Sequence, residues 1–136
     1  WPGFCRTHHQ VSVEDVEKVI KAHPEAKLLI HPECRPEVSA RADFVGSTKQ
    51  IVDQVGKMDA STFIIGTEMG IIHGLKKRYP DKRFYLLTPR LVCPNMKKTT
   101  LSDVAAALRT LEPVVSVPEQ IRTQARLSLE RMLAIQ

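Results

Sequence analysis

The stretch Lys27-Leu28-Leu29-Ile30-His31-Pro32-Glu33 decides the fold, because a short apolar run passes directly into polar side chains. A run of this length bounded by turn residues is typical of a buried β-strand. Thr62-Phe63-Ile64-Ile65 has the same form and ends at Gly66. We predict shorter or less apolar strands at residues 43–45 and 83–87, each separated from the next by a helical pattern.

Helix starts are marked by capping boxes, in which a Ser or Thr and a polar residue three positions later pair their side chains with the backbone. These boxes lie at Ser12–Asp15, Ser47–Gln50 and Thr100–Asp103, and Pro36 begins a short helix that we expect to end at Ala40. Strands that alternate with helices favour an α/β class, as a three-layer α/β/α domain with a parallel sheet and right-handed crossovers.

The pattern changes after Leu87. Residues 88–95 contain two prolines and predict a loop, and 114–117 predicts a short strand. Two C-terminal helices follow from the spacing of their apolar residues, the last one capped at Ser116. Their inward faces are expected to carry Val104, Leu108 and Leu111, then Ile121, Ala125, Leu129, Met132 and Leu133. We therefore divide the chain into an α/β/α domain at 1–88, with a truncated first strand ending near Trp1-Pro2-Gly3, and a C-terminal α/β segment at 89–136.

Composition narrows the class of protein. Of the 136 residues, 43% are hydrophobic and 26% charged, which favours a packed core over disorder. No apolar run approaches the ~18 residues of a membrane span, and no signal-peptide pattern is present, so we expect a cytoplasmic protein that binds no membrane. The net charge of +5 is scattered and not interleaved with aromatic residues. We expect no nucleic-acid binding, although a basic nucleic-acid-binding domain remains an alternative.

Polar residues follow every predicted strand, and the carboxyl ends of parallel strands lie at one edge, where such sheets bind ligands. His31 and Glu33 are two apart on an extended stretch, so they point to one side and suit an acid/base pair. On spacing alone, however, a helix cap or a solvated loop residue is the better interpretation of Glu33. Ser47 and Thr48 begin a helix, where free N–H groups favour a phosphate or carboxylate, although Ser47 also qualifies as a plain N-cap. The other polar residues in these loops are Cys5, Thr7, His8, Cys34, Gly46, Gly66, Thr67 and Glu68.

The cysteines allow more than one reading. Three thiols without a secretory signal disfavour a disulfide framework. Cys5-x-x-His8 and His31-x-x-Cys34 have spacings that resemble a zinc site, which leaves Cys93 over. Iron–sulfur clusters also take thiolates from separate loops. Spacing alone leaves zinc, a cluster and three unrelated thiols open.

Six segments together resemble the quinolinate synthase family, in the family's order and over essentially the whole chain. Any one of them would be a weak signal, whereas the ordered set is specific. They are Trp1-Pro2-Gly3-Phe4-Cys5-Arg6-Thr7-His8, His31-Pro32-Glu33-Cys34, Ala42-Asp43-Phe44-Val45-Gly46-Ser47-Thr48, Gly66-Thr67-Glu68-Met69-Gly70-Ile71, Cys93-Pro94-Asn95-Met96-Lys97 and Arg131-Met132-Leu133.

The resemblance implies a cytoplasmic transferase of NAD biosynthesis. The family condenses iminoaspartate with dihydroxyacetone phosphate to quinolinate, with loss of phosphate and water. It uses a [4Fe–4S] cluster held by three cysteines, one from each of three pseudo-threefold-related α/β/α domains, and the open iron acts as a Lewis acid. By position, Cys5 and Cys93 match two cluster ligands. The resemblance also implies catalytic roles for His31 and Glu33, and substrate contacts for both of them and for His8, Ser47 and Thr48.

The chain departs from the family pattern at three points. Arg6 stands where proline is common, and Cys34 has no role that the family explains. The third cluster cysteine is not among the residues of this chain, so the resemblance implies further N-terminal domains of the same enzyme. It implies as well that the segment at 89–136, which carries the Cys93 ligand loop, completes another domain. It also implies a functional link to L-aspartate oxidase. Thr67 is given at most a supporting role.

Overall fold

A computed structural model describes residues 3–135 of the chain. The described residues form two compact units, 3–95 and 96–135. The first unit therefore keeps the loop at 88–95, whereas the sequence assigns that loop to the second segment. The division at 88/89 between domains of a larger enzyme stays a prediction.

The first unit contains a parallel sheet with strands β1 (Lys27–Ile30), β2 (Phe44–Val45), β3 (Thr62–Gly66) and β4 (Arg83–Leu86). Its strand order is β2-β1-β3-β4, and each neighbouring pair is parallel. Leu29 pairs with Phe44 on one side of β1 and with Ile65 on the other. The predicted α/β class and the parallel sheet are confirmed.

The first unit contains five helices: α1 (Arg6–His9), α2 (Val13–Ala22), α3 (Pro36–Ser39), α4 (Thr48–Lys57) and α5 (Ile71–Arg78). Alternation along the strands divides the core into two layers. Leu28, Ile30 and Ile64 pack with residues of α2 and α3. On the opposite face, Leu29, Phe63 and Ile65 pack with residues of α4 and α5. The predicted three-layer arrangement is thus present in this unit.

Local signals located most helix starts correctly. Ser12 with Asp15, and Ser47 with Gln50, form the predicted reciprocal capping boxes of α2 and α4. Helix α1 was not predicted, because four residues are too few to show an apolar period. The predicted first strand falls at residues 1–3, of which 1 and 2 lie outside the described part.

The second unit contains α6 (Leu101–Thr110) and α7 (Glu119–Leu133). The capping box of Thr100 with Asp103 is present. Two predictions here are wrong: residues 114–117 form no strand, and α7 begins after Pro118 rather than at a Ser116 cap. A strand needs a neighbour to pair with its backbone, and the described part of this unit offers none.

The apolar faces of α6 and α7 are exposed, in contrast to the prediction that they point inward. Leu108 is 76% exposed and Leu133 77%, and neither helix contains a buried residue. The other residues of the predicted faces that are exposed large hydrophobics are Val104, Leu111, Ile121, Leu129 and Met132. Two short helices offer too little apolar area to enclose a core of their own. In neither unit is a described helix both long and apolar enough to cross a bilayer.

Candidate functional site

The candidate site lies where the sheet changes its direction of winding. From β1 the chain runs outward to β2, whereas from β3 it runs the opposite way to β4. Ligands of open α/β sheets bind at such a point, outside the carboxyl ends of the strands. The His31 N–H donates to the Gly66 carbonyl oxygen at 3.1 Å, and the Gly46 N–H donates to that of Ile30 at 3.0 Å. The loops after β1, β2 and β3 therefore leave from one edge.

His8 is held between two of these loops by both of its ring nitrogens. It is 6% exposed, and its Nδ1 lies 3.0 Å from Glu33 Oε2 while its Nε2 lies 3.0 Å from Thr67 Oγ1. A carboxylate only accepts hydrogen bonds, so Nδ1 carries the proton and Nε2 accepts from the Thr67 hydroxyl. This assignment follows from the hydrogen-bond network. Thr67, His8 and Glu33 thus form a relay in that order.

The surroundings of His8 favour its neutral form. Burial lowers the pKa of His8 below its usual value, and the neighbouring His31 imidazole lowers it further, against the opposing effect of Glu33. The His8 and His31 rings are stacked, with their centroids 4.4 Å apart. A neutral imidazole can pass a proton or orient a carboxylate without adding a charge to the site.

The predicted pair His31 and Glu33 is brought together beside His8. The Glu33 N–H donates to His31 Nδ1 at 3.3 Å, and the Glu33 Oε2 lies 3.5 Å from the same nitrogen. The side chain of Glu33 is 52% exposed and that of His31 17%. The carboxylate of Glu33 is therefore accessible from solvent, within reach of a bound molecule.

Cys5 joins this group from the start of α1. Its sulfur, a His8 ring nitrogen and a Glu33 carboxylate oxygen all lie within 4.8 Å of one another, so these three side chains could hold a metal ion. Two bonds fix α1 in place. Gln10 Nε2 donates to the Arg90 carbonyl oxygen at 2.6 Å, and Arg35 Nε donates to that of His9 at 2.8 Å.

Cys93 is half-buried in the loop after β4 and forms no disulfide with the other cysteines of the described residues. Its N–H donates to Glu68 Oε1 at 3.3 Å, and the Met69 N–H donates to the Leu91 carbonyl oxygen at 2.8 Å. Both bonds attach this loop to the residues that follow β3. Cys93 is not part of the three-residue group around Cys5.

Ser47 and Thr48 are exposed at the start of α4, on the same edge of the sheet. The Ser47 hydroxyl accepts from the Gln50 N–H at 3.4 Å, and the Ser47 N–H donates to Gln50 Oε1 at 2.8 Å. The capping role of Ser47 is therefore confirmed. Anion binding here stays a prediction.

Cys34 lies in the core and not with the other polar groups. It is 5% exposed, and its Sγ lies 3.8 Å from the Gly66 carbonyl oxygen. Burial raises the pKa of the Cys34 thiol to about 11, which disfavours the thiolate that a metal needs. The arrangement argues against the zinc alternative in which His31 and Cys34 bind together.

Sequence reasoning underestimated two residues that follow β3. Thr67 is 1% exposed and Glu68 7%, yet both of these polar side chains bind partners on other loops. The signal available in the sequence was their position directly after the most apolar strand. Neither His8 as a partner of Thr67 nor Cys93 as a partner of Glu68 could be predicted from local spacing.

The fold and the site define a class of protein. It is an α/β domain whose binding edge, formed by the loops at the carboxyl ends of the strands, carries a buried imidazole relay and two half-buried thiols. The family model described as "Quinolinate synthetase A protein" matches residues 1–134. A quinolinate synthase of Caldicellulosiruptor saccharolyticus is 55% identical over 135 residues, which cover 99% of this chain and 45% of that protein. One of Alkaliphilus metalliredigens is 52% identical over 135 residues, covering 99% and 45%. Quinolinate synthase 2 of Methanosarcina acetivorans is 46% identical over 134 residues, covering 98% and 43%.

The chain belongs to the quinolinate synthetase A family. The family resemblance that was predicted from six sequence segments is thereby confirmed. The chain spans less than half the length of these curated relatives.

Proposed function

We propose that this chain is part of a quinolinate synthase, which condenses iminoaspartate with dihydroxyacetone phosphate to quinolinate and releases phosphate and water. The observation that carries the proposal is the grouping of Cys5, His8 and Glu33 at the switch point of the sheet, in a chain of this family. The enzyme would act in NAD biosynthesis in the cytoplasm, and L-aspartate oxidase would supply its unstable imine substrate.

The residues present fit two of the three thiolate positions of a [4Fe–4S] cluster. Cys5 and Cys93 form no disulfide, and both are half-buried on loops at the carboxyl ends of the strands. Cys34 does not fit, because its thiol is buried and holds its proton. The remaining thiolate would come from another part of the complete gene product, together with two further domains. When bound, the cluster would supply Lewis-acid chemistry at an open iron.

The side chains of this chain would bind substrate and move protons. Glu33 would receive or return a proton with its outward carboxylate oxygen, while the other oxygen stays bound to His8. His31 stacks on His8 and would present its Nε2 to the reacting molecule. Because both nitrogens of His8 are engaged, we assign it to orienting Glu33; a direct contact with substrate would require one of these bonds to open.

Ser47 and Thr48 would hold the anionic ends of the substrates. The start of the ten-residue helix α4 presents backbone N–H groups and the positive end of the helix dipole. A substrate carboxylate or phosphate bound there would lie on the same edge as His31 and Glu33.

The test uses the complete gene product, reconstituted anaerobically with iron and sulfide. We expect about four irons per chain by elemental analysis, the broad absorbance of a cluster, and quinolinate formation from the two substrates. Cys5→Ala and Cys93→Ala should lose the cluster. Cys34→Ala is the matched control and should keep it, because Cys34 lies in the core. A Cys93→Ala variant with a normal cluster would contradict the ligand assignment.

A mononuclear zinc site is a second candidate, favoured by the grouping of one thiol, one imidazole and one carboxylate. The same elemental analysis separates the two candidates. One zinc per chain that survives Cys93→Ala and is lost in Cys5→Ala, without iron binding, would favour zinc over the cluster.

A further inference from the structure

Glu68 places a carboxylate in the interior of the first unit, which is an unusual place for one. It is 7% exposed and lies two residues after the end of β3. Burying a carboxylate is costly unless its oxygens are paired. Oε2 accepts the Gly70 N–H at 2.7 Å, and Oε1 accepts the Cys93 N–H at 3.3 Å. Both oxygens are thus engaged with backbone amides.

The two amides belong to segments that are distant in sequence. Gly70 is the N-cap of α5, two residues from Glu68, whereas Cys93 is 25 residues away. The loop that carries Cys93 has no regular structure to define its position. A single carboxylate therefore connects the start of a helix on the sheet to the backbone of Cys93.

We propose that Glu68 is a positioning residue that fixes the backbone of Cys93 at the binding edge, so that its thiol meets a metal group held in common with Cys5. The consequence for the metal rests on the proposed cluster. The hydrogen bond and its effect on the loop do not depend on it.

The bonding pattern explains why a carboxylate stands here. Two N–H donors converge on the side chain, and a carboxylate satisfies both because it only accepts. In Glu68→Gln the amide oxygen could accept one N–H, while the amide NH₂ would face the other donor. The substitution keeps the size of the side chain but loses one of the two bonds.

The first experiment measures amide hydrogen exchange by NMR in the metal-free complete gene product labelled with ¹⁵N-cysteine. In the unsubstituted protein the Cys93 amide should be protected, although it lies outside any helix or strand. Glu68→Gln should exchange it about tenfold faster, as expected for the loss of one charge-assisted hydrogen bond. The Cys34 amide, which donates to the His31 carbonyl oxygen at 3.0 Å, is an internal control that should not change.

Glu25→Gln is the matched control, because it removes an exposed carboxylate from the same unit. It should leave the exchange of the Cys93 amide unchanged. If Glu68→Gln fails to fold, the exchange rate in the unsubstituted protein still tests whether the Cys93 amide is hydrogen-bonded. An unprotected Cys93 amide, or equal exchange in Glu68→Gln, would overturn the proposal.

The second experiment measures the reduction potential of the loaded protein by EPR-monitored titration. Removing a negative charge next to a cluster ligand should move the potential to more positive values in Glu68→Gln but not in Glu25→Gln. An unchanged potential would refute the action of Glu68 on the metal group. If the unsubstituted protein binds no iron, the proposed function fails, while the exchange experiment still tests the role of Glu68.

Discussion

Replacing Thr67 by valine tests the relay that orients Glu33. Valine has nearly the same shape as threonine but lacks the hydroxyl that donates to His8 Nε2 at 3.0 Å. Thr67 is 1% exposed and His8 6%, so water has little access to replace the lost donor. The imidazole nitrogen is left as a buried acceptor without its partner.

The cost follows from this burial. Leaving a buried acceptor unpaired costs about 1–3 kcal/mol, which we expect to appear in the free energy of unfolding. Without the hydroxyl, His8 keeps its proton on Nδ1 because the Glu33 carboxylate still accepts it, but the ring is then held through one nitrogen only. The imidazole should orient Glu33 less precisely, and the proposed quinolinate formation should fall about 10- to 100-fold in kcat, with a smaller change in KM.

The assay is a long-range ¹H–¹⁵N NMR spectrum of the metal-free complete gene product labelled with ¹⁵N-histidine. His8, identified by the signal that His8→Gln removes, should show a protonated Nδ1 and an unprotonated Nε2. Thr67→Val should leave Nδ1 protonated and shift the Nε2 signal toward that of an unprotonated nitrogen that accepts no hydrogen bond. Thr67→Ser is the matched control: it keeps the hydroxyl and the spectrum, although losing a buried methyl costs about 1 kcal/mol.

Three outcomes would refute the reasoning. The first is a Thr67→Val spectrum identical to that of the unsubstituted protein. The second is a Thr67→Ser spectrum changed as much as that of Thr67→Val. The third is an unfolding free energy that Thr67→Val leaves unchanged.

Three further predictions concern the core and the edge of the sheet. Burial raises the pKa of Cys34 to about 11 from 9.0, so its thiolate fraction at pH 8 is roughly 100-fold lower than that of an ordinary thiol. Peptide mass spectrometry should therefore find Cys34 the last of the chain's cysteines to react with iodoacetamide. Equal reaction rates of the cysteines would contradict this prediction. Burial alone would raise the pKa of Asp43, but hydrogen bonds from the Lys27 ammonium and the Leu28 amide lower it overall. The stabilisation of the folded protein by Asp43 is therefore complete above the unfolded pKa of about 3.9, and it is lost as the pH falls through the lower folded pKa. The urea midpoints of Asp43→Asn and the unsubstituted protein should therefore differ at pH 7 and converge near pH 2, and a constant difference would argue against this contribution. Gly66→Ala would bring a Cβ within 2.8 Å of Ile30 Cγ1 and should destabilise by about 1–3 kcal/mol in thermal unfolding, whereas an unchanged Tm would contradict the packing.

The elements that the sequence predicted well are those with local causes. Capping boxes such as Ser12 with Asp15 join residues three apart, so their pattern is visible without a fold. Strands β1 and β3 were evident because both faces of a central parallel strand are buried, which produces an unbroken apolar run. The residues that follow them could then be assigned to one edge of the sheet.

The wrong predictions have a common physical cause, because each concerns a segment whose structure depends on what it packs or pairs with. Val114 and its neighbours have strand-like residues but no strand to pair with in the described part of their unit, and the apolar faces of α6 and α7 are exposed rather than inward. Propensity and periodicity give the type of element that a segment favours. They do not supply the surface on which it packs.

The sequence by itself determined the class of fold, the membership of a family and the identity of the polar residues at the binding edge. Through the family resemblance it also indicated Cys5 and Cys93 as cluster ligands, which is a prediction that the elemental analysis tests. Only the tertiary structure placed His8 between Glu33 and Thr67, which lie 25 and 59 residues away, and Cys93 on Glu68. A hydrogen bond is decided by distances of about 3 Å, and sequence separation does not fix such distances until the sheet brings its strand ends together.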